Sequence, residues 1–125
     1  MIQQFSLEGR NALVTGGNGG LGRAMALGLQ SAGARVAITG RNPLKNEAAV
    51  AELTDGMALT VDVRGEAEVE RAVSEVVSAF GSLDILVNNA GIVHGQPVLD
   101  LSKEDWDAAL DTNLTGSFLC AKPVS

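Results

Sequence analysis

Residues 15–22 read TGGNGGLG, so five of these eight residues are glycine. The mainly apolar run NALV (11–14) precedes this stretch, and the segment RAMALGLQ (23–30), which has helical periodicity, follows it. Glycine lets the backbone turn with positive φ and lets a diphosphate approach the main-chain amides, because it has no Cβ. A helix N-terminus adds free N–H groups and a partial positive charge. The stretch therefore predicts a strand, a turn and a helix that together bind the pyrophosphate of a dinucleotide; the alternative is a tight turn without a ligand.

Short apolar runs recur along the chain and are separated by longer segments with helical periodicity. The runs are NALVTG (11–16), ARVAITG (34–40), MALTVDV (57–63) and LDILVNN (83–89). Strands that are apolar throughout are typical of a parallel sheet with helices on both faces. Right-handed crossovers then place any ligand outside the carboxyl ends of the strands. The pattern predicts an α/β fold, a Rossmann-type doubly wound parallel sheet in one domain spanning residues 1–125.

Several residues mark where the predicted helices begin and end. Gly33 follows the first helix as a C-terminal cap, and Asn42 with Pro43 opens the second. Ser102 opens a fourth helix that extends to about residue 121, and Pro123 is expected to end it. Apolar residues at helical spacing predict the buried faces of the first and third helices: Leu21, Met25, Leu29 and Ala32 in the first, and Val69, Val73, Val76 and Phe80 in the third.

Composition excludes several classes of protein. Hydrophobic residues make up 46% of the chain, which argues against disorder, and no apolar run reaches the roughly eighteen residues that a membrane helix needs. The net charge is −6 and the basic residues are scattered, so we expect no nucleic-acid surface. His94 and Cys120 are the only residues of their types, which leaves no zinc cluster, and we expect the thiol to be buried. Without a recognisable signal or transit sequence, the expected location is the cytoplasm.

Four motifs together resemble the short-chain dehydrogenase/reductase family. They are TGxxxGxG (15–22), VDV (61–63), NNAG (88–91) and NLTG (113–116), and the resemblance covers essentially the whole chain. It implies a Rossmann-type sheet with strand order 3-2-1-4 that binds NAD or NADP. The start FSLEGR (5–10) is also similar to sugar-acid dehydrogenases of the gluconate and 2-deoxygluconate type.

The resemblance also implies a role for individual residues along the cofactor. The glycine loop, residues 15–22, would contact the pyrophosphate. Asp62 and Val63, which close the third strand, would contact the adenine, and the NNAG segment would contact the adenosine ribose. These cofactor-binding residues are Gly16, Asn18, Gly20, Leu21, Gly22, Asp62, Val63, Asn89, Ala90 and Gly91. Asp62 also has an alternative interpretation as a strand-end turn residue, and NNAG as a turn alone, since Asn and Gly favour turns.

The end of the second strand indicates which dinucleotide binds. An NAD site usually offers a carboxylate there for the ribose 2′-hydroxyl, whereas an arginine accommodates a 2′-phosphate. This chain has Gly40 at that place, followed by Arg41. We therefore predict NADP, with NAD as the alternative; a different Rossmann-type chemistry, methyl transfer from S-adenosylmethionine, fits the motifs less well.

The segment DTNLTGS (111–117) is a poor helical sequence, because Gly116 alone costs about 1 kcal/mol relative to Ala. By resemblance, Asn113 is the family's active-site asparagine, which helps to hold a water leading to the catalytic lysine. The alternative is structural: Asn113 bends a packed helix and Gly116 permits a close contact. His94 follows NNAG and either contacts substrate or is solvated.

The family's reaction transfers a hydride between nicotinamide and an alcohol or ketone, and it uses a Tyr, a Lys and a Ser. This chain contains no tyrosine, so we expect it to stop halfway through the family's pattern and to be inactive alone. The complete enzyme would be a homo-oligomer acting on a small alcohol, ketone or sugar acid. The alternatives are a non-catalytic dinucleotide-binding module and a subunit that a partner completes.

Overall fold

The computed structural model describes residues 3–93 and 95–125, and its centre is a sheet of four parallel strands. The strands are β1 (Asn11–Thr15), β2 (Arg35–Gly40), β3 (Met57–Thr60) and β4 (Ile85–Val87), in the order β3-β2-β1-β4. In the register, Asn11 is opposite Arg35 and Ala12 is opposite Ile85. The Rossmann-type order predicted from the sequence is confirmed, although β3 and β4 end before their apolar runs do.

Helices connect the strands and continue after the last one. They are α1 (Gly20–Ser31), α2 (Pro43–Val50), α3 (Glu66–Phe80), α4 (Lys103–Leu110) and α5 (Gly116–Val124). A π-helical turn, Asp111–Thr115, joins α4 to α5, and a short 3₁₀ helix spans Gln3–Phe5. The predicted fourth helix is therefore one helical segment with a π-helical turn in its middle.

The sheet buries an apolar layer on each face, as a doubly wound fold requires. Leu13, Ala37 and Leu59 lie on the face that packs against α3 and α5. Alternate residues of the same strands, such as Val14 and Ile38, point to the opposite face, where α1 and α2 pack. The predicted stripe of α3 lies in the first layer, with Val69, Val73 and Val76 buried and Phe80 at the edge; Cys120 is buried there as well.

The predicted helix ends are present in the structure. Gly33 follows α1 with φ +110°, in the region that favours glycine. The Asn42 side-chain oxygen accepts hydrogen bonds from the amides of Leu44 (3.0 Å) and Lys45 (3.2 Å). The Ser102 hydroxyl accepts one from the amide of Asp105 (3.1 Å). These contacts satisfy N–H groups that the first helical turn leaves unpaired.

Two expectations about the helices are wrong. Leu21 is 72% exposed, so it is not part of the buried face of α1, where Gly22 and Ala26 pack instead. Pro123 does not end the last helix, because the amide of Ser125 still donates to the carbonyl of Ala121 at 3.1 Å. A proline lacks its own N–H donor, but the N–H of a following residue can still form its helical bond near a helix end.

Among the residues that the structure describes, no helix is long and apolar enough to cross a bilayer. Within the same residues, no group of three or more His, Cys, Asp or Glu side chains is placed to bind a metal ion. The expected cytoplasmic location stays a prediction. His94, for which we considered a substrate contact, lies outside the described residues.

Candidate functional site

A cleft of about 300 Å³ opens at the carboxyl edge of the sheet, where the four strands end and α1 begins. Ten of the twelve predicted site residues line it: Gly16, Asn18, Leu21, Gly22, Arg41, Asp62, Val63, Asn89, Ala90 and Gly91. Gly20 and Asn113 do not. Topology thus brings together loops that are up to 75 residues apart, as the contact between Thr15 and Ala90 shows.

The glycine loop folds tightly against itself. Gly16 has φ +64°, a conformation that favours glycine. A Cβ on Gly22 would lie 2.2 Å from the carbonyl oxygen of Gly16, so α1 and the loop approach each other too closely for any side chain. These two positions explain why the sequence needs glycine here, and the main chain stays open towards the cleft.

The first turn of α1 gives this edge of the cleft a positive character. The helix begins at Gly20, and its N-cap residue, Gly19, has no side chain to cap the first N–H groups. The first N–H groups of a helix have no partner within the helix and carry partial positive charge. Leu21 and Gly22, both in this turn, line the cleft. An anionic group is therefore the ligand that this part of the cleft would stabilise.

The NNAG segment fastens the glycine loop in place. The Thr15 hydroxyl oxygen accepts hydrogen bonds from the amides of Asn89 (3.0 Å) and Ala90 (2.9 Å). In return, the Asn89 side-chain amide donates to the carbonyls of Thr15 (3.1 Å) and Gly16 (3.2 Å). Asn89 therefore has a structural role, holding the loop, besides lining the cleft.

The opposite side of the cleft carries charge. Arg41 is exposed and has no ion pair with a described residue. Asp62 accepts from the guanidinium of Arg64 at 2.7 Å, and this hydrogen bond is the main reason why the pKa of Asp62 is lowered. Partial burial of Asp62 opposes that shift, while the charge of Arg41 adds to it. Asp62 is thus ionised at neutral pH and is engaged by Arg64, which leaves Arg41 for a ligand.

Arg23, the other arginine near the glycine loop, is not directed into the cleft. Its guanidinium forms two hydrogen bonds with the Glu52 carboxylate, one of them Nε to Oε1 at 2.8 Å. This hydrogen bonding is the main cause of the lowered pKa of Glu52. The structure therefore gives Arg23 a surface ion pair rather than a place in the site.

Asn113 lies in the π-helical turn and holds the chain just after NNAG. Its Oδ1 accepts from the amide of Ile92 and its Nδ2 donates to the carbonyl of Ile92, both at 2.8 Å. A Cβ on Gly116 would lie 2.7 Å from Cγ2 of Val63, so the helix packs closely there. The close contact expected at Gly116 is thus present, whereas both proposed roles of Asn113, holding a water and bending the helix, stay predictions.

Sequence reasoning did not identify three polar residues around the cleft. Thr39 and Thr112 line it, and their buried hydroxyl oxygens have no hydrogen-bond partner among the described residues. Asn46 is buried in α2 and donates to the carbonyl of Gly40 at 3.0 Å. The position of Thr39 at the end of a strand was a usable signal, whereas nothing in the sequence distinguishes Asn46 from a surface asparagine.

Comparison with known proteins gives consistent matches. A family model described as short chain dehydrogenase matches residues 10–125. The chain is 42% identical over 121 residues to 3-oxoacyl-(acyl-carrier-protein) reductase FabG of Staphylococcus aureus, covering 93% of this chain and 49% of that protein. The chain thus spans about half the length of the curated relatives it matches.

Two solved structures share the fold closely. A short chain dehydrogenase from Burkholderia cenocepacia in complex with NADP has a TM-score of 0.90 and 39% identity, over 94% of this chain and 50% of that one. A 3-ketoacyl-(acyl-carrier-protein) reductase from Brucella melitensis complexed with NADH has the same TM-score and identity, over 94% and 49%.

Proposed function

Because the chain belongs to the short-chain dehydrogenase family, we propose that its cleft binds a nicotinamide dinucleotide and prefers NADP to NAD. The glycine loop and the first turn of α1 would hold the pyrophosphate. Asp62 and Val63 would border the adenine, and the NNAG segment the adenosine ribose. The residues fit such a cofactor, because glycine at position 22 lets the first turn of α1 lie directly against the glycine loop. A Cβ at Gly22 would collide with that loop.

The pairing of Gly40 with Arg41 carries the proposed preference for NADP. Both residues line the cleft at the end of β2, where a carboxylate would otherwise bind the ribose 2′-hydroxyl. Gly40 offers no carboxylate, and Arg41 has no ion pair with a described residue. A guanidinium binds phosphate through charge-assisted hydrogen bonds, which are stronger than those between neutral groups. This arrangement supports binding of a 2′-phosphate.

We propose that the whole enzyme reduces or oxidises a small carbonyl or alcohol compound. NADPH, when bound, supplies a hydride for the carbonyl carbon, and the carbonyl oxygen takes up a proton. The residues of this chain would bind and orient the dinucleotide. Asn113 would hold the main chain beside the dinucleotide through its two hydrogen bonds with Ile92. The 125 residues contain no tyrosine to act as the family's proton donor, so we expect binding without turnover.

Isothermal titration with NADP⁺ and NAD⁺ at matched ionic strength tests the proposal. We expect tighter binding of NADP⁺, and we expect Arg41→Ala to reduce the ratio of the two affinities about tenfold or more. Arg71→Ala is the matched control, because Arg71 is exposed on α3 and close to Glu75 rather than to the cleft. Equal affinities for both dinucleotides, or a ratio that Arg41→Ala leaves unchanged, would contradict the preference.

We also propose that the complete protein is a homo-oligomer. Apolar side chains recur every fourth residue along α4, the π-helical turn and α5, and each is at least 39% exposed: Trp106, Leu110, Leu114 and Phe118. Residues four apart lie on one side of a helix, and an exposed apolar surface of this kind favours association. Light scattering after size exclusion measures the oligomeric state, and Leu114→Glu should shift it towards the monomer.

A further inference from the structure

Asn46 is a polar side chain in the interior of the protein, only 3% exposed, on the helix that follows β2. Its Nδ2 donates to the carbonyl of Gly40 at 3.0 Å and is also within 3.4 Å of the Leu59 carbonyl and 3.3 Å of the Thr60 hydroxyl. Carbonyl oxygens only accept hydrogen bonds, so the nitrogen must face the strand ends. The oxygen of Asn46 is thereby fixed on the side of the glycine loop.

That oxygen holds a residue of the cleft. Asn46 Oδ1 accepts a hydrogen bond of 2.9 Å from Nδ2 of Asn18, which lies in the glycine loop and lines the cleft. An amide nitrogen has two hydrogens, so one N–H of Asn18 is engaged by Asn46 and the other is left for a ligand. The buried asparagine therefore sets which end of the Asn18 amide faces the end of β2.

The two asparagines fill the space beside Gly40. A Cβ on Gly40 would lie 2.2 Å from Asn18 Nδ2 and 2.4 Å from Asn46 Oδ1. Asn18 is half-buried and can swing outward, whereas Asn46 is enclosed and cannot. Gly40 is also the place where a dinucleotide site specific for NAD offers its carboxylate. The pair thus occupies the volume that such a side chain needs.

We propose that Asn46 is a positioning residue for coenzyme choice, which acts by holding Asn18 across Gly40. The pair closes the space beside the adenosine ribose to a carboxylate side chain, and it presents the free N–H of Asn18 to a 2′-phosphate together with Arg41. The proposal rests on the proposed function, since it explains how this chain would distinguish two dinucleotides.

The first test isolates the 2′-phosphate by comparing the affinities for adenosine 2′,5′-bisphosphate and 5′-AMP. We expect Asn46→Ala and Asn18→Ala each to lower the ratio of these affinities about tenfold, the value of one hydrogen bond to a charged group. The double variant should lower it no further, because both residues act through one contact. If Asn46 has a purely structural role, Asn46→Ala should lower the affinities for both ligands equally and leave their ratio unchanged.

Asn11→Ala is the matched control for the loss of a buried asparagine. Asn11 is 8% exposed and donates to the Ser82 hydroxyl at 2.9 Å, at the opposite end of β1 from the cleft. We expect this variant to lower the melting temperature without changing the ratio. If Asn46→Ala does not fold, Asn18→Ala still tests the contact through which Asn46 is proposed to act, because the half-buried side chain of Asn18 is less important for packing. An unchanged ratio in Asn18→Ala would refute the proposal.

The second test introduces the missing carboxylate. Gly40→Asp alone should bind NADPH and NADH poorly, because the new side chain collides with the asparagine pair. Gly40→Asp combined with Asn46→Ala should bind NADH at least about tenfold more tightly than Gly40→Asp alone, because the released Asn18 leaves the space free.

The possible failures are distinguishable. If the unaltered protein binds neither dinucleotide, the proposed function is wrong and the inference falls with it. If the protein prefers adenosine 2′,5′-bisphosphate to 5′-AMP but both asparagine variants keep the same ratio, the proposed function stands and the inference is refuted. The inference is also refuted if Gly40→Asp alone binds NADH as tightly as the double variant.

Discussion

Replacement of Thr15 by valine tests how the glycine loop is held. Thr15 is 2% exposed, and its hydroxyl accepts from the amides of Asn89 (3.0 Å) and Ala90 (2.9 Å). Valine has nearly the same shape, so Thr15→Val keeps the packing and leaves two N–H groups without an acceptor. Each such buried group costs about 1–3 kcal/mol, so the free energy of unfolding should fall by about 2–6 kcal/mol.

Thr15→Ser is the matched control, because it keeps the hydroxyl and loses one methyl group, at a cost of about 1 kcal/mol. Urea unfolding followed by circular dichroism gives both free energies by linear extrapolation. Since Asn89 and Ala90 also line the cleft, Thr15→Val should weaken NADP⁺ binding more than Thr15→Ser does. If the two variants agree within about 0.5 kcal/mol in stability and in coenzyme affinity, the hydroxyl does not hold the loop and the reasoning fails.

Three further predictions concern the loop, a charge and the thiol. Gly22→Ala would place a Cβ 2.2 Å from a loop carbonyl and should abolish titratable dinucleotide binding, whereas Gly28→Ala, with nothing within 4 Å, should bind normally and raise the melting temperature. The Arg64 guanidinium holds the pKa of Asp62 below its usual 3.8. The stabilisation from this ion pair is therefore present above pH 3.8 and is lost as the pH falls through the lowered pKa. In Asp62→Asn the free energy of unfolding should depend less on pH in that range, by under about 1 kcal/mol. Burial raises the pKa of Cys120 to about 11, so at pH 8 the thiol should react with a disulfide reagent only at the rate of unfolding, and fast labelling in the native state would contradict its burial.

Much of the fold follows from local patterns in the sequence. The run ALV (12–14) is central in the sheet, and the stripe Val69, Val73 and Val76 is buried as its spacing predicts. Gly33 and Asn42 mark helix ends through backbone geometry and capping, which depend on near neighbours alone. These features are predictable because strand and helix periodicities fix which residues share a face.

Other features depend on contacts between distant segments, which no local pattern encodes. Leu21 has the spacing of a core residue, but the cleft opens where it lies, so it is exposed. Pro123 is expected to end the helix, but the amide of Ser125 still forms a helical hydrogen bond after it. Asn18 and Asn46 are 28 residues apart and meet only because β2 and α2 return to the glycine loop. Such tertiary contacts set the details of the site, whereas motifs set its position.

The central claim is that the glycine loop binds the dinucleotide pyrophosphate, and amide NMR of the ¹⁵N-labelled protein during titration with NADP⁺ tests it most directly. The account predicts saturable shifts at the amides of Gly16, Leu21 and Gly22, with further shifts at Arg41 that are smaller when NAD⁺ replaces NADP⁺. Residues at the amino edge of the sheet, such as Arg35, should not shift. Saturable shifts at that edge with none in the glycine loop, or no shifts with either dinucleotide, would contradict the account.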